Sequence, residues 1–178
     1  MTDTVLYIVH SPPSTICDWG FDGLPIGVDK RTIHMAKIAK AIKFALKNDL
    51  PIIIESAGGP GRELDKFLLE QNLPEGRVKV VHTAEIDNPE TAEPVFRGQK
   101  IERFIVTGYF KELCCLNAIK NLRRSFPDAE IIILRGDNSI SWRNARLPSQ
   151  FQVIKDGFKE KRRELDVKVR PLNRKLAI

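Results

Sequence analysis

The run Thr107-Gly108-Tyr-Phe-Lys-Glu112-Leu-Cys114-Cys115 joins an apolar, strand-like stretch to a helical one. It therefore sets a thiol at a strand-to-helix junction. A cysteine in the first turn of a helix meets unpaired N–H groups and the positive end of the helix dipole, which favour thiolate, the nucleophilic form. The plain alternative is that both cysteines are small apolar residues packing the helix on a sheet. Cys115 fits that alternative, because it shares a helical face with Ala118, Ile119 and Leu122. A nucleophilic thiol also needs a proton acceptor. Two of the three histidines, His10 and His82, end apolar strand-like runs. An imidazole, with an ordinary pKa of about 6.5, takes a thiol proton readily.

A further chemical signal is Ser56-Ala-Gly-Gly59-Pro-Gly61-Arg62, which links a strand to a helix. The backbone N–H groups at Gly59 and Gly61, with the Arg62 guanidinium, can receive an anion such as phosphate or carboxylate. A tight turn accounts for the same residues. The segment has neither Rossmann glycine spacing nor the ending of a P-loop, so no nucleotide cofactor is expected. Cys114 and Cys115 form no C-x-x-C pair, and Cys115 faces inward, which argues against redox chemistry. Residues 14–22, with Cys17 and Asp18, read as a loop near the end of the first strand.

These groups must be positioned by the elements around them. Apolar runs of strand length alternate with helical stretches, the pattern of a parallel sheet covered on both faces. The expected strands are Val5 to His10, Ile52 to Ser56, Val78 to His82, Phe104 to Gly108, Ile131 to Arg135 and Val167 to Arg170. The expected helices run over about 30–48 (capped by Asp29), 62–71, 111–124 and 149–164. In the first of them, Ile38, Ile42, Ala45 and Leu46 face inward, whereas Lys37, Lys40, Lys43 and Lys47 face water. The acidic, proline-bearing stretch from Glu85 to Gly98 reads as loop. Ligands of open parallel sheets bind beyond the carboxyl ends of the strands. There the chain places His10, Glu55, Ser56, His82, the Gly108 to Cys115 loop and Asp137.

The 178 residues suit one domain spanning 1–178. Three cysteines, two of them adjacent, make no disulfide framework and point to a reducing compartment, the cytoplasm. The N-terminal stretch lacks a signal-peptide pattern, and no apolar run approaches the ~20 residues of a membrane span. The net charge of +6 is concentrated in 155–178, with nine basic and four acidic residues. That basic segment reads as a solvated helix face and tail. Nucleic-acid binding is disfavoured, because no aromatic residue after Phe158 offers a stacking surface.

The Thr107-Gly108-x-x-x-Glu112-x-Cys114 segment resembles the signature of the isochorismatase-like cysteine hydrolases, which include nicotinamidases and N-carbamoylsarcosine amidases. The order of the other elements follows the same family. The resemblance implies a three-layer α/β/α domain with a mostly parallel six-stranded sheet of order 3-2-1-4-5-6, and a preference for dimers or larger assemblies. It also implies thiolate attack by Cys114 on an amide-like carbon, with an oxyanion hole from the N–H groups of Phe110 and Cys114. A cis peptide bond, between Tyr109 and Phe110, is implied as well. The chain departs from the family at other catalytic positions. His10 stands where the family has an Asp, and Val80-Val81-His82-Thr83 offers no lysine at the end of the third strand. Glu55-Ser56-Ala57 replaces the metal-binding Asp-x-His of nicotinamidases, so no metal is expected. Two readings stay open. Either His10, with His82 orienting it or holding substrate, replaces the acid in a hydrolase acting on a small amide, carbamoyl or related molecule, or the site is catalytically silent and binds a small anionic ligand or macromolecular partner.

Overall fold

The computed structural model describes residues 3–9, 28–56, 73, 76, 78–82, 100–108, 115–134, 148–172 and 176. Six strands form one sheet: β1 (Thr4–Val9), β2 (Ile52–Ser56), β3 (Val78–His82), β4 (Arg103–Gly108), β5 (Glu130–Leu134) and β6 (Val167–Arg170). Their order is β3-β2-β1-β4-β5-β6. Every neighbouring pair runs parallel. The order and direction expected from the sequence are therefore observed. Parallel strands covered on both faces need apolar residues throughout, as the Ile52-Ile53-Ile54 and Ile131-Ile132-Ile133 runs supply. All six residues of β1 are buried, because β1 lies inside the sheet between β2 and β4.

Three described helices cover the sheet: α1 (Val28–Lys47), α2 (Leu116–Ser125) and α3 (Pro148–Glu164). On one face Ile38, Ala41, Ile42 and Ala45 of α1 pack against Leu6, Ile8, Ile52, Ile54, Ile105 and Ile132. On the other, Ala118, Ile119 and Leu122 of α2, preceded by Cys115, pack against Val5, Tyr7, Val9, Phe104, Val106, Ile131 and Ile133. Phe158 of α3 joins that second cluster. The odd and even residues of each strand thus serve opposite layers. None of the described helices is long and apolar enough to cross a membrane.

The described helix α1 runs from Val28, so Asp29 stands inside it rather than just ahead of it as the sequence suggested. Propensity alone places helix ends only to within a few residues. Its other end is well defined. Asp49 takes a left-handed φ of 61°. Leu50 N–H then donates to Ala45 O at 2.9 Å and Asp49 N–H to Leu46 O at 3.4 Å, a Schellman closure. Pro51 follows, and its carbonyl accepts from Leu6 N–H at 3.0 Å, which delivers the chain into β2 beside β1. At the opposite end of the sheet from the carboxyl edge, Glu130 bridges strands. It accepts from Arg103 Nε on β4 at 2.6 Å and from Lys168 Nζ on β6 at 2.7 Å.

Three lysines of the C-terminal basic segment have acidic partners among the described residues. Lys159 pairs with Asp156 at 2.9 Å, Lys161 with Glu164, and Lys168 with Glu130. Arg162 donates to Val167 O at 3.2 Å. These partners fit the reading of a solvated helix face.

Candidate functional site

The carboxyl edge of the sheet is built around Gly108, the last residue of β4, which lies in register with Val9 of β1. Its φ is +146°, in the region that favours glycine. A Cβ there would overlap the Val9 carbonyl oxygen and lie 2.8 Å from the Val9 carbonyl carbon and nitrogen. Only glycine lets β4 close against β1 at this point. The chain leaves Gly108 for the Tyr109 to Cys114 segment, and its description resumes at Cys115. Cys115 has helical φ and ψ of −64° and −37°, so the helical course of α2 reaches back at least that far. Its side chain is buried against the sheet, as expected from the helical face it shares with Ala118, Ile119 and Leu122. Among the described residues no side chain caps this end of α2, and the turn from Leu116 carries no acid.

Beneath the start of α2 lies a polar pair in an otherwise apolar layer. The Tyr7 hydroxyl of β1 donates to Glu55 Oε2 of β2 at 2.9 Å. Both side chains are buried, Glu55 being 5% exposed. Burial, the Glu55 charge and the hydrogen bond to it, and the nearby Cys115 sulfur together hold the Tyr7 phenol well above its ordinary pKa of 10.0. The phenol therefore remains a protonated donor at neutral pH. Register places Glu55 opposite Val9 on one side and Val81 on the other. Thr107, next to Gly108, is also buried, and its Oγ1 has no hydrogen-bond partner among the described residues.

Of the residues singled out by sequence, His82 ends β3 in register with Ser56, at the carboxyl edge. His10 directly follows Val9 in the chain, but lies outside the described residues, as do Cys114, Phe110, Gly59, Gly61, Arg62, Asp137 and the Tyr109–Phe110 peptide bond. Among the described residues no group of three or more His, Cys, Asp and Glu side chains is placed to hold a metal. Sequence reasoning gave Tyr7 no role and named Glu55 only as a strand-end residue. Their signal was a carboxylate within the isoleucine-rich β2 and a phenol inside an all-apolar strand, which must find a partner when buried.

By sequence, the chain matches no family model and no curated protein. Solved structures resemble it throughout. N-carbamoylsarcosine amidase from Thermoplasma acidophilum aligns with a TM-score of 0.61 at 14% identity, over 94% of this chain and 95% of that one. An isochorismatase from Pseudomonas putida KT2440 aligns with a TM-score of 0.63 at 16% identity, over 96% and 88%. A ribonuclease from Caenorhabditis elegans aligns with a TM-score of 0.56 at 14% identity, over 90% and 74%. Differently named activities thus share one architecture, so the likeness speaks to fold and leaves function to the site. With its parallel six-stranded sheet in the order β3-β2-β1-β4-β5-β6 and helices on both faces, the chain has the isochorismatase-like fold.

Proposed function

We propose that this protein is a cysteine hydrolase acting on a small amide, carbamoyl or related molecule, with Cys114 as nucleophile. The observation that carries this reading is the glycine-only junction of Gly108 with Val9, which fixes where the thiol-bearing segment departs from the sheet. The intact Thr107-Gly108-x-x-x-Glu112-x-Cys114 spacing supports it, as does the likeness to a structure named as an amidase. In this reading His10 accepts the thiol proton as the Cys114 sulfur bonds to the substrate carbonyl carbon, and the N–H groups of Phe110 and Cys114 receive the oxyanion. The C–N bond then breaks, and the imidazolium returns the proton to the leaving nitrogen. Water hydrolyses the thioester with His10 again as base. His82 orients His10 or holds substrate, and Gly59, Gly61 and Arg62 receive an anionic group of it. No cofactor enters this scheme, and the protein works as a homo-oligomer in the cytoplasm.

A second reading, a silent site that binds a small anion or a macromolecular partner, is favoured by the missing Asp at the end of β1 and the missing Lys at the end of β3. Iodoacetamide labelling across pH, with peptide fragmentation to assign the site, separates the two. The hydrolase reading expects Cys114 to alkylate faster than free cysteine at pH 6 to 7. Labelling at the free-cysteine rate favours the silent site.

A further inference from the structure

The helix α1 carries six basic residues and a single acid, Asp29 at its start. From Lys30 to Asn48 the sequence has no carboxylate. Lys40, Lys43 and Lys47 are exposed and follow one another at intervals of three and four residues, so they stand in one row along the helix. The row lies opposite Ile38, Ala41, Ile42 and Ala45, which are buried against the sheet. None of the three lysines has a carboxylate partner among the described residues. Elsewhere Lys100 pairs with Glu102 at 2.7 Å, Lys159 with Asp156 at 2.9 Å and Lys168 with Glu130 at 2.7 Å. Like charges three or four residues apart repel and weaken a helix. The helix dipole offsets this for Lys47, in the last turn, but not for Lys40 and Lys43. A merely solvated face can mix signs, as α3 does with Asp156, Lys159, Lys161 and Glu164.

An anion with repeating charge relieves this repulsion, and the chemistry of the row selects its class. At about 1.5 Å per residue the row runs about 10 Å along the axis, enough to meet several phosphates of a duplex, which carries one charge per ~1.7 Å. Ammonium groups meet phosphate as point charges, whereas carboxylates are matched best by the planar fork of arginine. The helix α1 has no arginine after Arg31, and its one phenyl ring, Phe44, packs on the core cluster. It therefore lacks the aromatic and arginine anchors of a protein interface. A lipid surface needs apolar side chains beside the charges, but Leu46, like Phe44, turns to the core. Without a ring in the row, single-stranded bases have nothing to stack on.

We infer that the Lys40, Lys43 and Lys47 row binds the phosphodiester backbone of a nucleic-acid duplex without reading its sequence. The contact is placed on α1 and not on the C-terminal segment, where Lys159, Lys161 and Lys168 are paired. It is independent of the hydrolase reading.

The test is fluorescence anisotropy with a labelled, mixed-sequence DNA duplex of about 20 base pairs, at salt from about 50 to 200 mM. For wild-type protein log K should fall linearly with log salt at a slope of about −2.7 or steeper, ~0.9 for each lysine, a loss of about forty-fold or more over that range. Lys40→Gln/Lys43→Gln/Lys47→Gln should flatten the slope by about 2.7 and weaken binding at low salt by more than about tenfold. Lys40→Gln/Lys43→Gln should flatten it by about two thirds as much. Glutamine and lysine have similar helix propensities, so circular dichroism should be unchanged. Lys159→Gln/Lys161→Gln/Arg163→Gln on α3, which removes the same formal charge, should leave the slope as it is. Absence of duplex binding by wild-type protein at low salt overturns the inference. So does an equal loss in the α1 and α3 triple variants, which would assign binding to net charge alone. Vesicles of phosphatidylserine and phosphatidylcholine form a further arm: binding to them that depends on the three lysines, with none to the duplex, overturns the inference in favour of a lipid surface.

Discussion

Gly108 meets Val9 so closely that a methyl group on its Cα would overlap the Val9 carbonyl. The obstacle is backbone of a strand inside the sheet, which cannot swing aside as a flexible side chain would. The positive φ of Gly108 adds conformational strain for any other residue. Gly108→Ala should therefore cost about 4 kcal/mol or more, at the extreme of single substitutions. Urea denaturation checks this. A loss below about 1 kcal/mol would show that β4 can shift away from β1.

The Thr107 hydroxyl, one residue earlier and without a hydrogen-bond partner among the described residues, works in the opposite direction. A buried hydroxyl without a partner forfeits its hydration for nothing in return. Thr107→Val should raise stability by about 1 kcal/mol, read as a higher urea midpoint with an unchanged slope. Destabilisation would mean that the hydroxyl is satisfied in solution.

Tyr7→Phe removes a donor and leaves the buried Glu55 carboxylate short of it. The expected cost is about 1–3 kcal/mol. Glu55→Gln should cost less, since its amide oxygen accepts the same bond. A double-mutant cycle between Tyr7→Phe and Glu55→Leu, which removes the acceptor, should give a coupling clearly above zero, and additive losses would contradict a strong pair.

Arg123 of α2 fastens two turns with one guanidinium. It donates to Pro127 O at 2.7 Å and Ala129 O at 2.9 Å before β5, and to Leu165 O at 3.2 Å and Asp166 O at 3.3 Å before β6. A lysine has one point of donation and cannot span both turns. Arg123→Lys should cost about 1–3 kcal/mol and increase amide exchange at β6. Unchanged exchange there would show that the clamp is not what holds the edge strand.

Glu130 provides a pH test. Its bond to Lys168 lowers its pKa below the ordinary 4.5, aided by its bond to Arg103 and opposed by partial burial. A carboxylate depressed in the folded state stabilises above its unfolded pKa, and that stability is lost as pH falls through the folded value. Glu130→Gln should therefore be less stable by about 1 kcal/mol at pH 7, with the gap closing below pH 4. A gap that persisted undiminished into strong acid would assign the loss to packing.

The layered fold was legible because its signals are periodic and dense. Short, β-branched apolar runs such as Ile131 to Leu134, alternating with longer helical stretches, fit central strands of a parallel sheet, and the 3.6-residue spacing of Ile38, Ile42 and Ala45 marked the inner side of α1. Helix starts were less legible: the expected cap, Asp29, stands inside α1, which runs Val28–Lys47. At the site, Gly108 was visible as a motif position, but its close approach to Val9 came only with the structure. The Tyr7–Glu55 pair was not visible, because β1 and β2 are joined only by register across the sheet, and a sequence gives no distance between residues on different strands.

Placing β1 inside the sheet has a consequence for how the protein is made. The N-terminal strand acquires its β2 partner only after α1 has been synthesised, and its β4 partner roughly a hundred residues after β1 itself. Until Gly108 has emerged from the ribosome, a largely apolar strand waits with one edge open. The nascent chain thus makes an aggregation-prone strand well before the strand that covers it, so its yield in a cell should depend on chaperone capacity more than the stability of the finished fold would suggest.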